Sequence, residues 1–193
     1  HAIEALVATG ANHFTDALAE KAIELVIKNL PTCVDRGTDE AARAAMHEAS
    51  CMAGLAFNQA GLGITHALAH QLGGQFHVPH GLANAMLLPY VIMYNAANSN
   101  EAKLKYISIA QKLSLTTESD DESAQIAALV RCAQSLARRV GCIITMKEFG
   151  VDEVSFKESF PTLVQQAMVD RTYPGNPYAA TKEDLTRILT CII

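Results

Sequence analysis

The chain places four of its seven histidines in one short segment, from His66 to His80. His66 and His70 stand four residues apart in an apolar, alanine-rich run typical of a helix, so both imidazoles project from one face. The Gly73–Gly74 pair is predicted to end this helix, because glycine adopts the left-handed conformation of a helix stop. His80 follows in a Pro-His-Gly turn before a second apolar run. A helix, a loop and a helix would thus aim three or four imidazoles, common transition-metal ligands, at one point.

The same histidines have a simpler interpretation. A histidine on the apolar face of a helix is often a hydrogen-bonded core residue, and one i, i+4 pair leaves both interpretations open. The pair also lacks the Glu of His-Glu-x-x-His, so a metalloprotease would have no general base. A third histidine in a loop framed by proline and glycine favours a metal site, and spacing alone would make His66 and His70 joint ligands.

Composition excludes several classes of partner. The net charge is −5 and no Lys/Arg cluster occurs, so nucleic acid and anionic membranes are not expected partners. The apolar runs are interrupted before about 18 residues, so no membrane span is predicted. Five cysteines are scattered and none forms a Cys-x-x-Cys pair. We therefore predict free thiols and a cytoplasmic protein.

Hydrophobic periodicity predicts helices along almost the whole chain. Pro31 is predicted to end one helix and Pro161 to break another, while Ser119–Glu122 and Thr181–Asp184 are predicted to cap two more. No alternating strand pattern and no glycine-rich phosphate turn after a strand is found. Half of the residues are hydrophobic, which suffices for a core. The prediction is an all-α, multi-helix bundle forming one domain over residues 1–193.

The histidine segment is also similar to a known family. The run Gly61-Leu62-Gly63, His66, Ala69-His70, Gly73, Pro79-His80-Gly81, Asn84-Ala85 and Leu88-Pro89 resembles the signature of the iron-containing (group III) alcohol dehydrogenases. The start, His1-Ala2-Ile3-Glu4-Ala5, resembles the family's earlier ligand segment, in which Asp-x-x-x-His is followed by Ala and Glu. This resemblance extends to Asn176-Pro177 and implies the dehydroquinate synthase-like, helical C-terminal domain of that family.

The resemblance also implies that part of the enzyme lies outside the chain. The sequence opens on His1 inside an expected helix, without a cap or initiator methionine, so we expect a fragment. The family's Asp ligand would stand four residues before His1. The α/β nucleotide-binding domain that precedes the helical domain in the family is expected as its missing partner, with NAD or NADP between the two halves. The full-length enzyme is expected to be a homo-oligomer, and the isolated fragment to be inactive.

Site roles follow from the same resemblance. His1, His66 and His80 match the family's three histidine ligands of the metal. His70 matches a histidine beside the nicotinamide and substrate, which makes it the expected catalytic and cofactor-binding residue. Phe57 matches an aromatic wall of the substrate pocket, with a core phenylalanine as the alternative. His77 is a second substrate-side candidate, with a solvent-exposed loop residue as the alternative.

The implied reaction is metal-assisted hydride transfer between a small alcohol and an aldehyde or ketone. Imidazole and carboxylate ligands suit Fe(II), and they suit Zn(II) equally. A zinc-dependent polyol dehydrogenase of the glycerol type is therefore an alternative. A metallohydrolase would require a carboxylate base that the histidine segment lacks. A non-catalytic helical domain with structural histidines is the remaining alternative.

Overall fold

Ten α-helices and one 3₁₀ turn make up the protein, and no β-strand is present. The computed structural model describes the whole chain, residues 1–193. The helices are α1 (Ala2–Val7), α2 (His13–Asp35), α3 (Glu40–Ala60), α4 (Ile64–Phe76), α5 (His80–Asn98), α6 (Asn100–Lys112), α7 (Glu122–Arg139), α8 (Met146–Phe149), α9 (Glu153–Met168) and α10 (Lys182–Thr190), with the 3₁₀ turn at Tyr173–Gly175. The predicted all-α bundle is confirmed.

Side-chain caps define where several helices begin. The Thr181 side chain accepts a hydrogen bond from the Asp184 amide, and the Asp184 side chain accepts one from the Thr181 amide, so the predicted box at α10 is confirmed. The start of α7 differs from the prediction. Asp121 is its cap and accepts from the Ser123 amide at 3.0 Å, whereas the predicted box began two residues earlier.

The predicted end of α4 at Gly73–Gly74 is wrong. The helix continues through both glycines to Phe76, whose ring packs edge-on against Phe156 at a centroid distance of 5.7 Å. The left-handed residue is His77, with φ of 57°, and its amide donates to the Gly73 carbonyl. Packing of Phe76 therefore outweighs the freedom of the glycine pair and moves the helix stop to His77.

The two predicted proline breaks are also wrong. Pro31 lies inside α2 and Pro161 inside α9. Each proline removes one backbone donor, but buried side chains on both sides of Pro161 hold α9 continuous, among them Phe156 and Leu163. Similarly, α2 packs along α3 and extends to Asp35 despite Pro31.

The core consists of two apolar clusters that meet along α5. One cluster joins α4 and α5 to α9 and α10, and the other joins α1, α2 and the end of α3 to α6 and α7. Leu87 and Val91 of α5 lie in the first cluster, while Ile92 lies in the second. The ends of α1 and α4 are consequently held at the junction between the clusters. None of the helices combines the length and the apolar character that crossing a bilayer would require.

The loop that contains the 3₁₀ turn joins the helix ends at this junction. The Thr9 amide after α1 donates to the Gly175 carbonyl at 2.9 Å. The side chain of the next residue, Asn176, accepts from the Ile64 amide at 3.3 Å, at the first residue of α4. A side chain at position 175 would overlap the Leu62 carbonyl oxygen, so only glycine permits this approach.

We expect Gly175→Ala to lower the free energy of unfolding by roughly 1–3 kcal/mol, because the added methyl forces two backbone segments apart. Gly54→Ala is the matched control. Position 54 lies within α3 and has open space where the methyl group of alanine would lie, so this change should stabilise the helix by up to about 1 kcal/mol. Urea denaturation of both variants provides the comparison. Equal stability of the two variants would contradict the close approach.

Candidate metal centre

Three helix ends bring three histidines together. His1 precedes α1, His66 lies in the first turn of α4, and His80 is the first residue of α5. One ring nitrogen from each histidine lies within 4.8 Å of the others. The packing of α4 against α5, and the loop contacts that hold α1 to the start of α4, therefore place His1 beside His66, 65 residues further along the chain, and beside His80.

The spacing of the ring nitrogens suits a shared ion. The Nε2 atoms of His1 and His66 are 3.1 Å apart. Two nitrogens bound to one metal at about 2.0–2.1 Å lie roughly 3.3 Å apart in a tetrahedral site and roughly 2.9 Å apart in an octahedral one. The observed separation falls between these two values. His66 and His80 are also neighbours, with ring centroids 5.1 Å apart.

A buried carboxylate orients His66. The Oε2 atom of Glu4 pairs with Nδ1 of His66, while Oε1 accepts from the Thr65 amide at 2.8 Å. Both side chains are only 3% exposed. An ionised carboxylate only accepts hydrogen bonds, so Nδ1 carries the proton and the lone pair of Nε2 faces His1. Carboxylate–histidine pairs of this kind commonly orient metal ligands.

His70 lies beside the three histidines but is held separately. Its Nδ1 lies 2.9 Å from Oδ2 of Asp170, a residue of the turn that follows α9. The His70 ring stacks on His80 with an interplanar angle of 19° and a centroid distance of 5.7 Å. Spacing alone suggested joint ligation with His66, whereas the structure groups His1, His66 and His80 and places His70 next to them.

Electrostatics near the site favour a neutral His80 and an ionised Asp170. Partial burial lowers the pKa of His80, and the neighbouring His66 and His70 lower it further, so its imidazole is neutral and free to bind a metal at pH 7. Burial alone would raise the pKa of Asp170. Hydrogen bonds from Thr172 and His70 outweigh burial and hold that pKa below its usual value.

Two buried side-chain oxygens have no hydrogen-bond partner. In the whole chain, the buried side-chain polar atoms without a hydrogen-bond partner are Oγ1 of Thr65 and Oδ1 of Asn84. Thr65 adjoins His66 in sequence, and the Nδ2 atom of Asn84 lies 3.3 Å from Nε2 of His80. Buried polar groups are normally paired, so the unpaired Oδ1 of Asn84, whose Nδ2 lies against His80, suits a further polar group beside the histidines. Together with the nitrogen-rich donor set, this fits a borderline divalent metal.

The other predicted site residues lie at different distances from the centre. Phe57 stacks on His1 with ring centroids 4.7 Å apart, so it forms a wall beside the histidines. His77 caps α4, is exposed, and makes no ring contact with the other histidines. His13 and His47 are exposed elsewhere on the surface.

The two carboxylates that hold the histidines were not predicted from the sequence. Glu4 was noted only as part of a motif, although a charged residue inside the apolar run Ala2–Val7 is itself a signal of a buried partner. Asp170 had no such signal, because it lies in a polar turn 100 residues from His70.

An apolar cavity of about 570 Å³ adjoins His1 and Phe57. It lies between the α2–α3 and α5–α7 helix pairs, and its walls are almost entirely hydrophobic, including Ile27, Leu88 and Leu136. Cavities of this size and polarity are typical of sites for small organic ligands.

The chain is thus an all-helical domain with a candidate metal site formed by His1, His66 and His80. The profile described as "Fe-containing alcohol dehydrogenase family, C-terminal" matches residues 1–193. The chain therefore belongs to the iron-containing alcohol dehydrogenase family and corresponds to its C-terminal part.

Individual relatives agree with this assignment. The chain is 43% identical to a 1-propanol dehydrogenase of Citrobacter freundii over 98% of its own length and 51% of that protein. It is 38% identical to an NADPH-dependent butanol dehydrogenase of Clostridium saccharobutylicum, covering 100% of the chain and 48% of that protein. A solved 1,3-propanediol oxidoreductase superposes with a TM-score of 0.92 at 33% identity, over 100% of this chain and 49% of that one. The chain thus spans about half the length of the relatives it matches.

We expect Glu4→Gln to weaken metal binding by roughly 10- to 100-fold. The amide can still accept from the Thr65 amide, but its NH₂ group faces Nδ1 of His66 and favours the tautomer with the proton on Nε2, which blocks that lone pair. Competitive Zn(II) titration against a chromogenic chelator measures the change. Glu158→Gln, on the exposed face of α9, is the matched control. Equal affinity of the two variants would contradict the role of Glu4.

Proposed function

We propose that this chain is the metal-binding half of an NAD(P)-dependent alcohol dehydrogenase that interconverts an alcohol and an aldehyde or ketone. The observation that carries the proposal is the convergence of His1, His66 and His80 in a chain that belongs to the iron-containing alcohol dehydrogenase family. Three imidazoles with ring nitrogens within 4.8 Å of one another suit a single shared metal ion. The proposal also assigns these three histidines as the metal ligands.

Each residue of the site then has a defined task. His1, His66 and His80 hold the metal, and Glu4 keeps Nε2 of His66 free for it. A metal bound there supplies Lewis-acid polarisation of the substrate oxygen. Phe57, stacked on His1, shields one side of the site from water and bounds the substrate. His77 is exposed, and we propose that it contacts substrate only at the rim of the site.

His70 is proposed as the proton carrier and as a contact to the nicotinamide. It lies outside the set of three convergent histidines, yet its ring stacks on His80, so it is close to the place where the alcohol oxygen would sit. With Nδ1 bound to Asp170, its Nε2 is available to accept the hydroxyl proton during oxidation and to return it during reduction.

The cofactor site is proposed to require a second domain. The usual dinucleotide site has a glycine-rich turn between a strand and a helix, and this chain has ten helices and no strand. The relatives are about twice as long, which supports an α/β nucleotide-binding domain as the partner of this one. One relative is named as NADPH-dependent, but the residues that choose between NAD and NADP belong to that partner domain.

The substrate is proposed to be a small aliphatic alcohol. The relatives are named for 1-propanol, butanol and 1,3-propanediol. The cavity beside His1 and Phe57 is almost entirely hydrophobic, which favours an alkyl chain over the hydroxyl groups of a polyol. A zinc-dependent glycerol-type enzyme is therefore less well supported. A metallohydrolase is disfavoured as well, because the carboxylates of Glu4 and Asp170 are both engaged with histidine rings.

We propose Fe(II) as the native metal on the strength of the family, with Zn(II) equally compatible with the nitrogen donors. The five free cysteines support a reducing cytoplasm as the compartment.

Replacing each α4 histidine in the full-length enzyme tests these assignments. His66→Ala should lose the metal and the activity with it, because a ligand is gone. His70→Ala should retain the metal and lower kcat by roughly 10²- to 10⁴-fold, since a positioned proton carrier contributes that much. Metal content is measured by mass spectrometry, and turnover of 1-propanol by NAD(P)H absorbance after loading with Fe(II) or with Zn(II).

The wild-type enzyme assayed with 1-propanol, 1-butanol and glycerol is the reference for substrate class. Preference for the aliphatic alcohols is expected. Preference for glycerol would favour the polyol alternative, and equal metal loss in both histidine variants would make His70 a ligand.

A further inference from the structure

We infer that Asp170 is the positioning residue of His70: it fixes the ring in the tautomer with the proton on Nδ1 and so leaves Nε2 as the proton acceptor. This inference rests on the proposed function, in which His70 carries the substrate proton. It assigns a role to a residue outside the histidine segment and outside the helices that carry the site.

Contacts to both oxygens of Asp170 fix its orientation. Oδ2 lies 2.9 Å from Nδ1 of His70 and 3.4 Å from Nε2 of Gln71. Oδ1 accepts from the amide of Thr172 at 2.9 Å and from its hydroxyl at 2.8 Å. Because Thr172 holds one oxygen, the other is directed at the imidazole. An ionised carboxylate can only accept hydrogen bonds, so the nitrogen that faces it must carry the proton.

The turn that carries Asp170 is itself tied to α4. Six residues further on, Asn176 accepts from the Ile64 amide at the start of α4, and the intervening Gly175 lies against Leu62. The same loop therefore contacts α4 near its first residue and at His70, almost two turns later. Its contact with His70 is part of the packing of the fold and does not depend on a mobile surface side chain.

The arrangement repeats that of the first histidine of the pair. His66 and His70 stand four residues apart on one face of α4, and each has Nδ1 bound to a carboxylate from a different part of the chain. Glu4 from α1 holds His66, and Asp170 holds His70. Both pairings leave Nε2 without a proton. In the proposed function, this nitrogen binds the metal on His66 and accepts the substrate proton on His70.

His70 carries only one proton between the alcohol and water. During oxidation the alcohol proton would pass to Nε2 of His70 and make the ring an imidazolium, and Nε2 would then release the proton to water, since the side chain is 32% exposed. Nδ1 keeps its proton throughout, and Asp170 stays ionised and stabilises the positive ring. A nicotinamide bound by the proposed partner domain would accept the hydride, so no further oxidant would be required.

Asp170→Asn in the full-length enzyme separates this role from a purely structural one. The amide oxygen can still accept from Thr172, while the NH₂ group would face Nδ1 of His70 and favour the opposite tautomer. We expect kcat to fall by roughly 10²- to 10⁴-fold, with KM changed only a few-fold and metal content unchanged. Asp170→Glu restores a carboxylate and should recover part of kcat. Glu158→Gln controls for the lost charge on an exposed surface.

A direct measurement of the tautomer accompanies the kinetics. Nitrogen NMR of the metal-free enzyme labelled with ¹⁵N-histidine reports which ring nitrogen bears the proton, and loss of one signal set in His70→Gln assigns it. The wild type should carry the proton on Nδ1 and Asp170→Asn on Nε2. A wild-type proton on Nε2, or an Asp170→Asn enzyme with the Nε2 proton and unchanged kcat, would overturn the inference. Absence of any alcohol turnover in the wild type would instead defeat the proposed function, while the NMR result would still decide the tautomer.

Discussion

The pairing of Glu4 with His66 is the interaction on which the site depends most. Burying an ionised carboxylate costs free energy unless its oxygens are paired. The Glu4 side chain is only 3% exposed, and both of its oxygens have partners. The partners of Glu4 are the ring of His66 and the amide of Thr65, both at the start of α4. This pairing fixes α1 against α4. His1, one turn before Glu4, is consequently placed with Nε2 facing Nε2 of His66.

The remaining parts of the site follow from how α4 is held. Its first turn is bound to Glu4 and to Asn176, its second turn presents His70 to Asp170, and its far end is packed through Phe76. After the left-handed residue His77 the chain turns directly into α5, and this turn brings His80 back beside His66. Rigid packing of one helix thus positions a proposed metal site and a proposed proton carrier with little help from flexible loops.

Much of this arrangement was predictable from sequence because it is local. The helices follow from hydrophobic spacing, and the grouping of His66, His70 and His80 follows from their closeness along the chain. The errors have a common cause in tertiary packing: Gly73–Gly74, Pro31 and Pro161 were expected to stop helices that buried neighbours instead keep continuous. The partners of the histidines were not predictable from spacing, since Glu4 and His66 are 62 residues apart and Asp170 and His70 are 100 apart. Only the folded chain brings those carboxylates to the rings.

X-ray absorption spectroscopy of the zinc-loaded, full-length enzyme tests the central assignment most directly. The first coordination shell should contain nitrogen and oxygen neighbours at about 2.0–2.1 Å, and outer-shell scattering should require three imidazole rings. His80→Ala should reduce the number of rings to two. A sulfur shell near 2.3 Å would place the metal on cysteine and contradict the site described above, as would outer-shell scattering that fits no imidazole.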